Sequence, residues 1–378
     1  RPPPAAGVAG SSMSFELQGP ALRILSRAVA CLAKLGRDAA LLFRAEELIL
    51  HGADDGHSAA MQFAFRRSFF RTSPGHGHVD CDVVTRARAL LVALKGSQNR
   101  AGMIDSLLIG LSGVTPGSPS EPRLVLEFVA RFGGRVRHRV PLLEGGPVLP
   151  GEPKAGPHSA ALAAGLLSRI LDHCSPPSRS GTCEEVTIAA VPGEGLRVQS
   201  HDLMAGGSAP QANRTEVLVQ RSDFVAHALS GEGGGEVTFS GRCLRDFARA
   251  GETFSRDLEA AGLLDGSPLL ELRFGSASGS VVCRLATIAD GNVRAPTDFA
   301  AVLMIATKDA PGAESLQPSV MPATQGAAAT QASRRAQPRQ GSSKRRAVAA
   351  TPQAFEAFPD LGSSQALSRP SGAPMLTP

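Results

Sequence analysis

The feature that most limits what this chain can fold into is an order of predicted elements that occurs twice. Each copy contains a helix, three strands, a loop, a strand, a short helix and three more strands, as judged from helical and strand periodicities. A stretch rich in proline and glycine, Pro141–Pro157, separates the copies, since this composition is incompatible with regular helix or sheet. The matched order of about eight elements predicts a duplicated domain.

The first copy is preceded by a short predicted strand, Ser14–Gln18. Its predicted helices are Pro20–Lys34 and Thr85–Lys95, and its strands are Ala39–Phe43, Glu46–His51, Ala59–Phe65, Val79–Val84, Ile104–Leu111, Arg123–Ala130 and Arg135–Val140. The second copy has predicted helices Ser159–Cys174 and Arg242–Ala250, and strands Glu185–Val191, Leu196–Ser200, Thr215–Gln220, Glu236–Ser240, Leu269–Phe274, Val281–Thr287 and Phe299–Thr307. No strand is predicted ahead of the helix at Ser159.

Composition changes sharply after Lys308. Residues 312–378 consist mostly of Ala, Ser, Gln, Pro and Arg, and cannot bury enough apolar area to offset the entropy of ordering, so they are predicted to be disordered. They hold seven Lys/Arg and three Asp/Glu, so most of the chain's net charge of +5 lies there. The predicted organisation is a disordered leader (1–12) before a natural start at Met13, one domain (13–140), a connector (141–157), a second domain (158–310) and a disordered tail (311–378).

Several classes of protein are excluded by the sequence. The longest apolar stretch, Ser159–Leu167, is too short to span a membrane, and the N-terminus does not resemble a signal peptide. The six cysteines have no paired spacing and indicate reduced core thiols. His76-Gly77-His78 lacks further ligands at useful spacing, and Gly231–Glu236 matches no phosphate-binding loop. We therefore predict no enzymatic activity, no metal and no cofactor.

Basic residues recur on one face of the predicted helices. Steps of three, four and seven residues return to nearly the same angle on a helix, and the first helix has no acid between Glu16 and Asp38. An ordinary solvated face would explain any one such helix, but the recurrence favours a surface that contacts phosphates without reading bases. The candidate residues are Arg23, Arg27 and Lys34 on the first helix, Arg88 and Lys95 on the second, Arg169 on the third, and Arg242, Arg245 and Arg249 on the fourth.

Two tandem units, each with two helices beside an antiparallel sheet and joined by a connector, resemble the PCNA-like sliding clamps. The stretches that carry the resemblance include SFELQGPALRILSRAVACLAKLG, ELILHGADDGHSAAMQFAFRRSFF and EVTFSGRCLRDFARAGE. Within these clamps the chain is most similar to the tail-bearing subunit of the heterotrimeric checkpoint clamp, the nine-one-one complex (Rad9 family). The resemblance implies an α+β fold of two clamp domains, with helices facing duplex DNA inside a ring and antiparallel sheets outside.

The resemblance also implies partners: two other clamp subunits, a clamp loader and a BRCT-domain scaffold that binds a phosphorylated tail. The tail itself contains basic clusters typical of nuclear import and Ser/Thr-Gln or Thr-Pro pairs typical of kinase sites. Two alternatives remain: a replicative clamp that forms a homotrimer, and an α+β enzyme with an unrecognised site. The import residues are Arg334, Arg335, Lys344, Arg345 and Arg346, and the candidate phosphosites are Thr324, Thr330, Thr351 and Ser364.

Overall fold

Four helices follow the apolar stripes of the sequence in the computed structural model, which describes residues 14–72, 80–98, 103–112, 121–147, 156–174, 185–201, 215–229, 235–264, 266–289 and 291–308. In the first helix, Leu22, Leu25, Val29 and Leu32 are all buried, as the stripe predicts. A proline in its first turn fits the fixed backbone angle of a helix start. The helices are α1 (Gly19–Leu35), α2 (Ala87–Gln98), α3 (Ala164–Cys174) and α4 (Gly241–Ala260).

The strands form three antiparallel sheets. In the first half they are β1 (Ser14–Gln18), β2 (Asp38–Phe43), β3 (Glu47–Ala53), β4 (Ala59–Arg66), β5 (Cys81–Arg86), β6 (Ile104–Ser112), β7 (Arg123–Ala130) and β8 (Arg135–Pro141). In the second they are β9 (His158–Leu162), β10 (Glu185–Val191), β11 (Gly195–His201), β12 (Glu216–Gln220), β13 (Ala226–Ala228), β14 (Glu236–Ser240), β15 (Ser267–Phe274), β16 (Ser280–Ala289), β17 (Asn292–Arg294) and β18 (Phe299–Ala306).

The two halves share one large sheet. Two four-stranded sheets have the orders β1-β6-β7-β8 and β12-β11-β10-β14, and each belongs to one half. The third has the order β13-β9-β15-β16-β18-β4-β3-β2-β5, with β17 attached to β16, so it crosses the boundary between the halves where β18 pairs with β4. The α+β class, with helices beside antiparallel sheets, is confirmed.

A cluster of phenylalanines lies at the junction of the halves. The ring centroid of Phe254 on α4 is 5.6 Å from that of Phe63 on β4 and 5.4 Å from that of Phe299 on β18. All three side chains are fully buried. Because each large aromatic side chain removes about 150–250 Å² from water, this cluster is a strong hydrophobic tie between the halves.

The predicted helix Ser159–Cys174 is wrong at its start. Residues His158–Leu162 form β9, which pairs with β15 and β13, and the helix begins only at Ala164. A short run of alanine and leucine fits either a buried strand or a helix, so periodicity alone cannot decide between them. The missing strand of the second half is therefore present.

The predicted helix Arg242–Ala250 is too short. The helix α4 continues for ten residues past Ala250, to Ala260, and has 20 residues in all. Gly251, a residue type that disfavours helix interiors, lies inside this helix at a close contact. A Cβ placed there would be 3.1 Å from the side chain of Leu270, so the glycine serves packing against β15.

Several predictions fall outside the described residues. These are the leader 1–12, the tail 311–378 with its import and phosphorylation residues, His76-Gly77-His78, and residues 148–155 of the connector. The predicted domain boundaries therefore stay predictions.

Candidate nucleic-acid interface

The four helices lie side by side in one layer. Packing contacts join α2 to α1, α1 to α4 and α4 to α3, which gives the order α2-α1-α4-α3. The two halves thus meet at the α1–α4 contact, as well as in the large sheet. Each helix rests its apolar face on strands, so its polar face is turned away from the sheets. All nine predicted basic residues belong to this layer.

Two basic positions recur in the second helix of each half. Arg88 and Arg242 are the second residues of α2 and α4, and Lys95 and Arg249 are the ninth residues of the same helices. All four side chains are exposed. Because the helices occupy equivalent places in the two halves, the same layer carries cations at equivalent points on either side of the α1–α4 contact.

A third basic position recurs in the first helix of each half. Arg23 on α1 and Arg169 on α3 are both exposed, and both are followed by a buried Ile-Leu pair. This Arg-Ile-Leu repeat is a further signal in the sequence, beyond the spacing of the basic residues. It could have been found by aligning the two halves on their buried positions.

The cations of the layer differ in how far carboxylates neutralise them. Arg27 on α1 pairs with Asp257 on α4 at 2.6 Å, and Arg249 pairs with Asp172 on α3, also at 2.6 Å. Arg169 donates from Nε to the carbonyl oxygen of Gly165 at 3.2 Å. In the part of the chain that the structure describes, the remaining exposed cations make no ion pair; they are Arg23, Lys34, Arg88, Lys95 and Arg242.

Arg245 does not belong to the exposed surface. Its residue is only 8% exposed, so the prediction that it faces a nucleic acid is wrong. Arg245 lies three residues after Arg242 and four before Arg249, so the spacing was compatible with one stripe of basic residues. In the structure, however, the middle of this stripe falls on the buried face of α4. The equivalent position on α2 is Leu91, which is partly buried against the core.

A groove between α1 and α4 lies within the layer. It encloses about 350 Å³ and is lined by Lys34, Arg242 and Arg249, by the carboxylate of Asp246 and by Cys31. Burial raises the pKa of the Cys31 thiol to about 12, which disfavours the thiolate form that nucleophilic attack or metal binding would need. The groove therefore offers charge and hydrogen bonds, with no group prepared for covalent chemistry.

The arrangement suits contact with a polyanion. Cations spaced along four neighbouring helices can each neutralise a phosphate, and such contacts do not depend on base sequence. Within the described residues, no helix has the length and apolar character needed to cross a membrane, and no group of three or more His, Cys, Asp or Glu side chains is placed to hold a metal ion.

Comparison with protein families matches the Rad9 family over residues 25–288. No curated protein matches the chain. Among solved structures, the chain is similar to the proliferating cell nuclear antigen of Entamoeba histolytica, at 10% identity and a TM-score of 0.54, covering 78% of this chain and 98% of that chain.

Two further solved structures share the fold. One is the PCNA2–PCNA3 complex of Sulfolobus tokodaii, at 13% identity and a TM-score of 0.52, covering 79% of this chain and 100% of that one. The other is A. fulgidus PCNA bound to the C-terminal region of FEN-1, at 14% identity and a TM-score of 0.50, covering 78% and 98% of the two chains. These likenesses establish the PCNA-like clamp fold, and because the family match spans more than half of the sequence, the chain belongs to the Rad9 family.

Proposed function

We propose that this chain is one subunit of a heterotrimeric DNA-damage checkpoint clamp, which encircles duplex DNA and recruits signalling and repair proteins. It acts as a scaffold and catalyses no reaction. The observation that carries the proposal is the recurrence of exposed cations at equivalent points of the two halves, in a single helix layer. In a ring of such subunits this layer would line the hole and meet the phosphates of a duplex.

Two unpaired strand edges, one in each half of the chain, support ring formation. Among the described residues, no strand pairs with the outer edge of β8 in the first half or of β12 in the second. Unpaired strand edges are sites for pairing with another chain. The solved PCNA2–PCNA3 complex of Sulfolobus tokodaii is a precedent for the association of unlike chains with this fold.

The tail supports the checkpoint role and a nuclear location. Two basic clusters, Arg334-Arg335 and Lys344-Arg345-Arg346, are typical import sequences. Phosphorylation at Thr324, Thr330, Thr351 or Ser364 would add about −1.5 to −2 charge each and so create a docking site for a BRCT-domain scaffold. A clamp loader would open and close the ring around DNA. Replicative clamps need no such tail.

The assembly state tests the proposal most directly. We expect the purified chain to form a ring only when it is combined with two other clamp subunits from the same genome, as measured by light scattering after size-exclusion chromatography. A stable homotrimer of the chain alone would overturn the checkpoint proposal in favour of a replicative clamp.

Reversal of the recurring charges tests the DNA-facing surface. In the assembled ring, Arg88→Glu combined with Arg242→Glu should weaken binding to duplex DNA at low salt. Each phosphate contact that is lost should reduce the slope of log affinity against log salt by about 0.9.

Arg294→Glu is the matched control for this experiment, because Arg294 is an exposed arginine on β17, outside the helix layer. It should leave both the affinity and the salt slope unchanged. Arg245 is unsuitable for charge reversal, since its burial makes a folding defect the expected result. Equal slopes for the double variant and the wild type would mean that the helix layer does not contact DNA.

A further inference from the structure

The helix layer carries its charge unequally. Its two halves hold the same number of Lys and Arg residues, five each. The helices α1 and α2 of the first half contain no Asp or Glu, whereas α3 and α4 of the second half contain five. The first pair of helices therefore has a formal charge of +5 and the second pair a formal charge of zero. The five carboxylates are Asp172, Asp246, Glu252, Asp257 and Glu259.

Two carboxylates of α4 stand where α2 has uncharged residues. Counted from the start of each helix, Asp246 corresponds to Val92 and Glu252 corresponds to Gln98. Asp246 is half-buried and lines the groove between α1 and α4, and Glu252 is exposed. The cations recur in the two helices but the acids do not, so the halves differ by negative charge that only the second half has.

A third carboxylate neutralises one of the recurring cations. Arg249 of α4 pairs with Asp172 of α3 at 2.6 Å. The equivalent cation of the first half is Lys95, and the residue that corresponds to Asp172 after the Arg-Ile-Leu repeat is the uncharged Ser26. Lys95 makes no ion pair with any residue that the structure describes. The same position thus presents an unpaired cation in the first half and a paired one in the second.

The unpaired cations of the layer consequently lie mostly in the first half. Of its five cations, Arg27 alone pairs with a described carboxylate, that of Asp257 on α4. In the second half Arg256 faces Glu252 at 3.8 Å, and Arg245 is buried. Among the described residues, the exposed cations without an ion pair are Arg23, Lys34, Arg88 and Lys95 on α1 and α2, and Arg169 and Arg242 on α3 and α4.

The halves are far enough apart to act as separate electrostatic surfaces. Packed helices have axes about 8–10 Å apart, so α2 lies roughly 16–20 Å from α4 in the order α2-α1-α4-α3. At about 0.15 M ionic strength, exposed charges are screened over about 8 Å. A phosphate over α2 therefore meets the cations of the first half with little influence from the carboxylates of α4. A phosphate over α4 meets charges of both signs.

We propose that duplex DNA bears mainly on α1 and α2 of this chain and stands away from α3 and α4, so that the duplex lies off-centre toward the first half. The inference rests on the proposed ring and adds to it which half of the layer holds the DNA. The four unpaired cations of α1 and α2 can contact up to four phosphates, which corresponds to a salt slope of about 3.6 from this chain. If the acids of α4 served internal packing alone, both halves would bind DNA equally.

Two equivalent charge reversals test the inference in the assembled ring. Arg88→Glu and Arg242→Glu each change the second residue of a helix, where a carboxylate is favourable, so both variants should fold. At about 50 mM salt, we expect Arg88→Glu to weaken binding to duplex DNA by about tenfold and to lower the salt slope by about 0.9. The loss from Arg242→Glu should be at least about threefold smaller, with a smaller change of slope. Light scattering before each titration checks that the rings are equally assembled.

Removal of carboxylates tests the cause of this difference. Asp246→Asn combined with Glu252→Gln takes two negative charges from α4 and leaves its cations in place. In this background the loss caused by Arg242→Glu should rise to match that caused by Arg88→Glu, because phosphates can then approach α4. Arg294→Glu, outside the layer, should bind DNA as the wild type does.

The possible outcomes separate this inference from the proposed function. Equal losses from Arg88→Glu and Arg242→Glu, or a larger loss from Arg242→Glu, would overturn the inference and leave the DNA-encircling function standing. A loss from Arg242→Glu that does not increase after Asp246→Asn and Glu252→Gln would also overturn it. If neither reversal changed DNA binding, both the inference and the proposed function would be wrong.

Discussion

The second helices of the two halves begin alike and then diverge. For their first nine residues α2 and α4 carry cations at the same positions, Arg88 with Arg242 and Lys95 with Arg249. Beyond that point α2 ends at Gln98, whereas α4 continues to Ala260 and brings in acidic residues such as Glu252 and Asp257. The shared part lies in the exposed layer, and the extra part of α4 packs and pairs within the fold.

This difference separates two requirements on one helix. Under the proposed function, the recurring cations are set by the phosphates that the layer would meet outside the chain, which would account for their presence in both halves. The extension of α4 is set by the internal junction, because Phe254 joins the phenylalanine cluster and Asp257 pairs with Arg27 of α1. Substitutions in the first part of α4 should therefore change DNA binding, whereas substitutions in its extension should change the stability of the fold.

The largest expected effect is at the junction. Phe254→Ala removes a fully buried ring in contact with Phe63 and Phe299, and should lower the free energy of unfolding by about 3–5 kcal/mol. Because those two partners belong to different halves, amide exchange should accelerate in both β4 and β18. Hydrogen exchange with mass spectrometry measures this.

Phe239→Ala is the matched control, since Phe239 on β14 is equally buried but belongs to a sheet of the second half alone. It should cost a similar free energy and leave the protection of β4 close to that of the wild type. If Phe254→Ala also left β4 unaffected, α4 would not tie the halves together.

The second-largest expected effect concerns a buried polar residue that differs between the two halves. His51 on β3 and Gln199 on β11 occupy equivalent positions in the two halves, since each comes after two core residues of its strand at the same spacing. Both side chains are buried. Burial lowers the pKa of His51 from 6.5 to about 4. The unfolded chain therefore gains a proton at a higher pH than the folded one, so stability is full above about pH 6.5 and falls as the pH drops toward 4.

His51→Gln gives the first half the residue of the second and should remove this acid sensitivity. At pH 5 the wild type should lose about 2 kcal/mol of stability relative to its value at neutral pH through this group, and the variant should not. Urea unfolding at pH 7 and pH 5 measures the difference. An identical pH dependence for the two proteins would show that His51 is not the titrating group.

The smallest effect concerns the ion pair between Arg249 and Asp172. Both side chains are substantially exposed, so Asp172→Asn should cost less than about 1 kcal/mol of stability. It should also release Arg249 and raise the affinity of the assembled ring for duplex DNA at low salt. Lys95 has no such partner among the described residues, and Lys95→Gln should instead lower the affinity; opposite signs for the two variants are the expected result.

Most of the element order could be predicted because most elements have a local pattern of their own, but the strands β9, β13 and β17 were not predicted. The strands Ser14–Gln18, Glu185–Val191 and Glu236–Ser240 agree with the structure at both ends. The failures occur where tertiary contacts override local preference. Leu162 and its alanine neighbours become a strand because β15 offers a partner edge. Gly251 stays helical because α4 packs against β15, where a side chain at this position would crowd Leu270.

For the candidate interface, residue spacing predicted which helix faces are basic, but it could not predict how exposed each basic side chain is. Arg23, Arg88 and Arg242 are exposed as expected, while Arg245 is buried although it fits the same spacing. The partners that neutralise Arg27 and Arg249 come from other helices, far away in the sequence. Only the packing of α1, α3 and α4 brings those charges together, and no local pattern contains that information.

The shared sheet also governs how this chain can be made. The strand β4 is complete at Arg66, but its neighbour β18 begins only at Phe299, so the inner edge of β4 must wait for the synthesis of more than half of the sequence. At roughly 5–20 residues per second this delay is on the order of 10–50 s. Throughout that time one edge of the largely apolar strand β4 has no partner from β18, and an unpaired apolar edge of this kind favours pairing with the wrong chain.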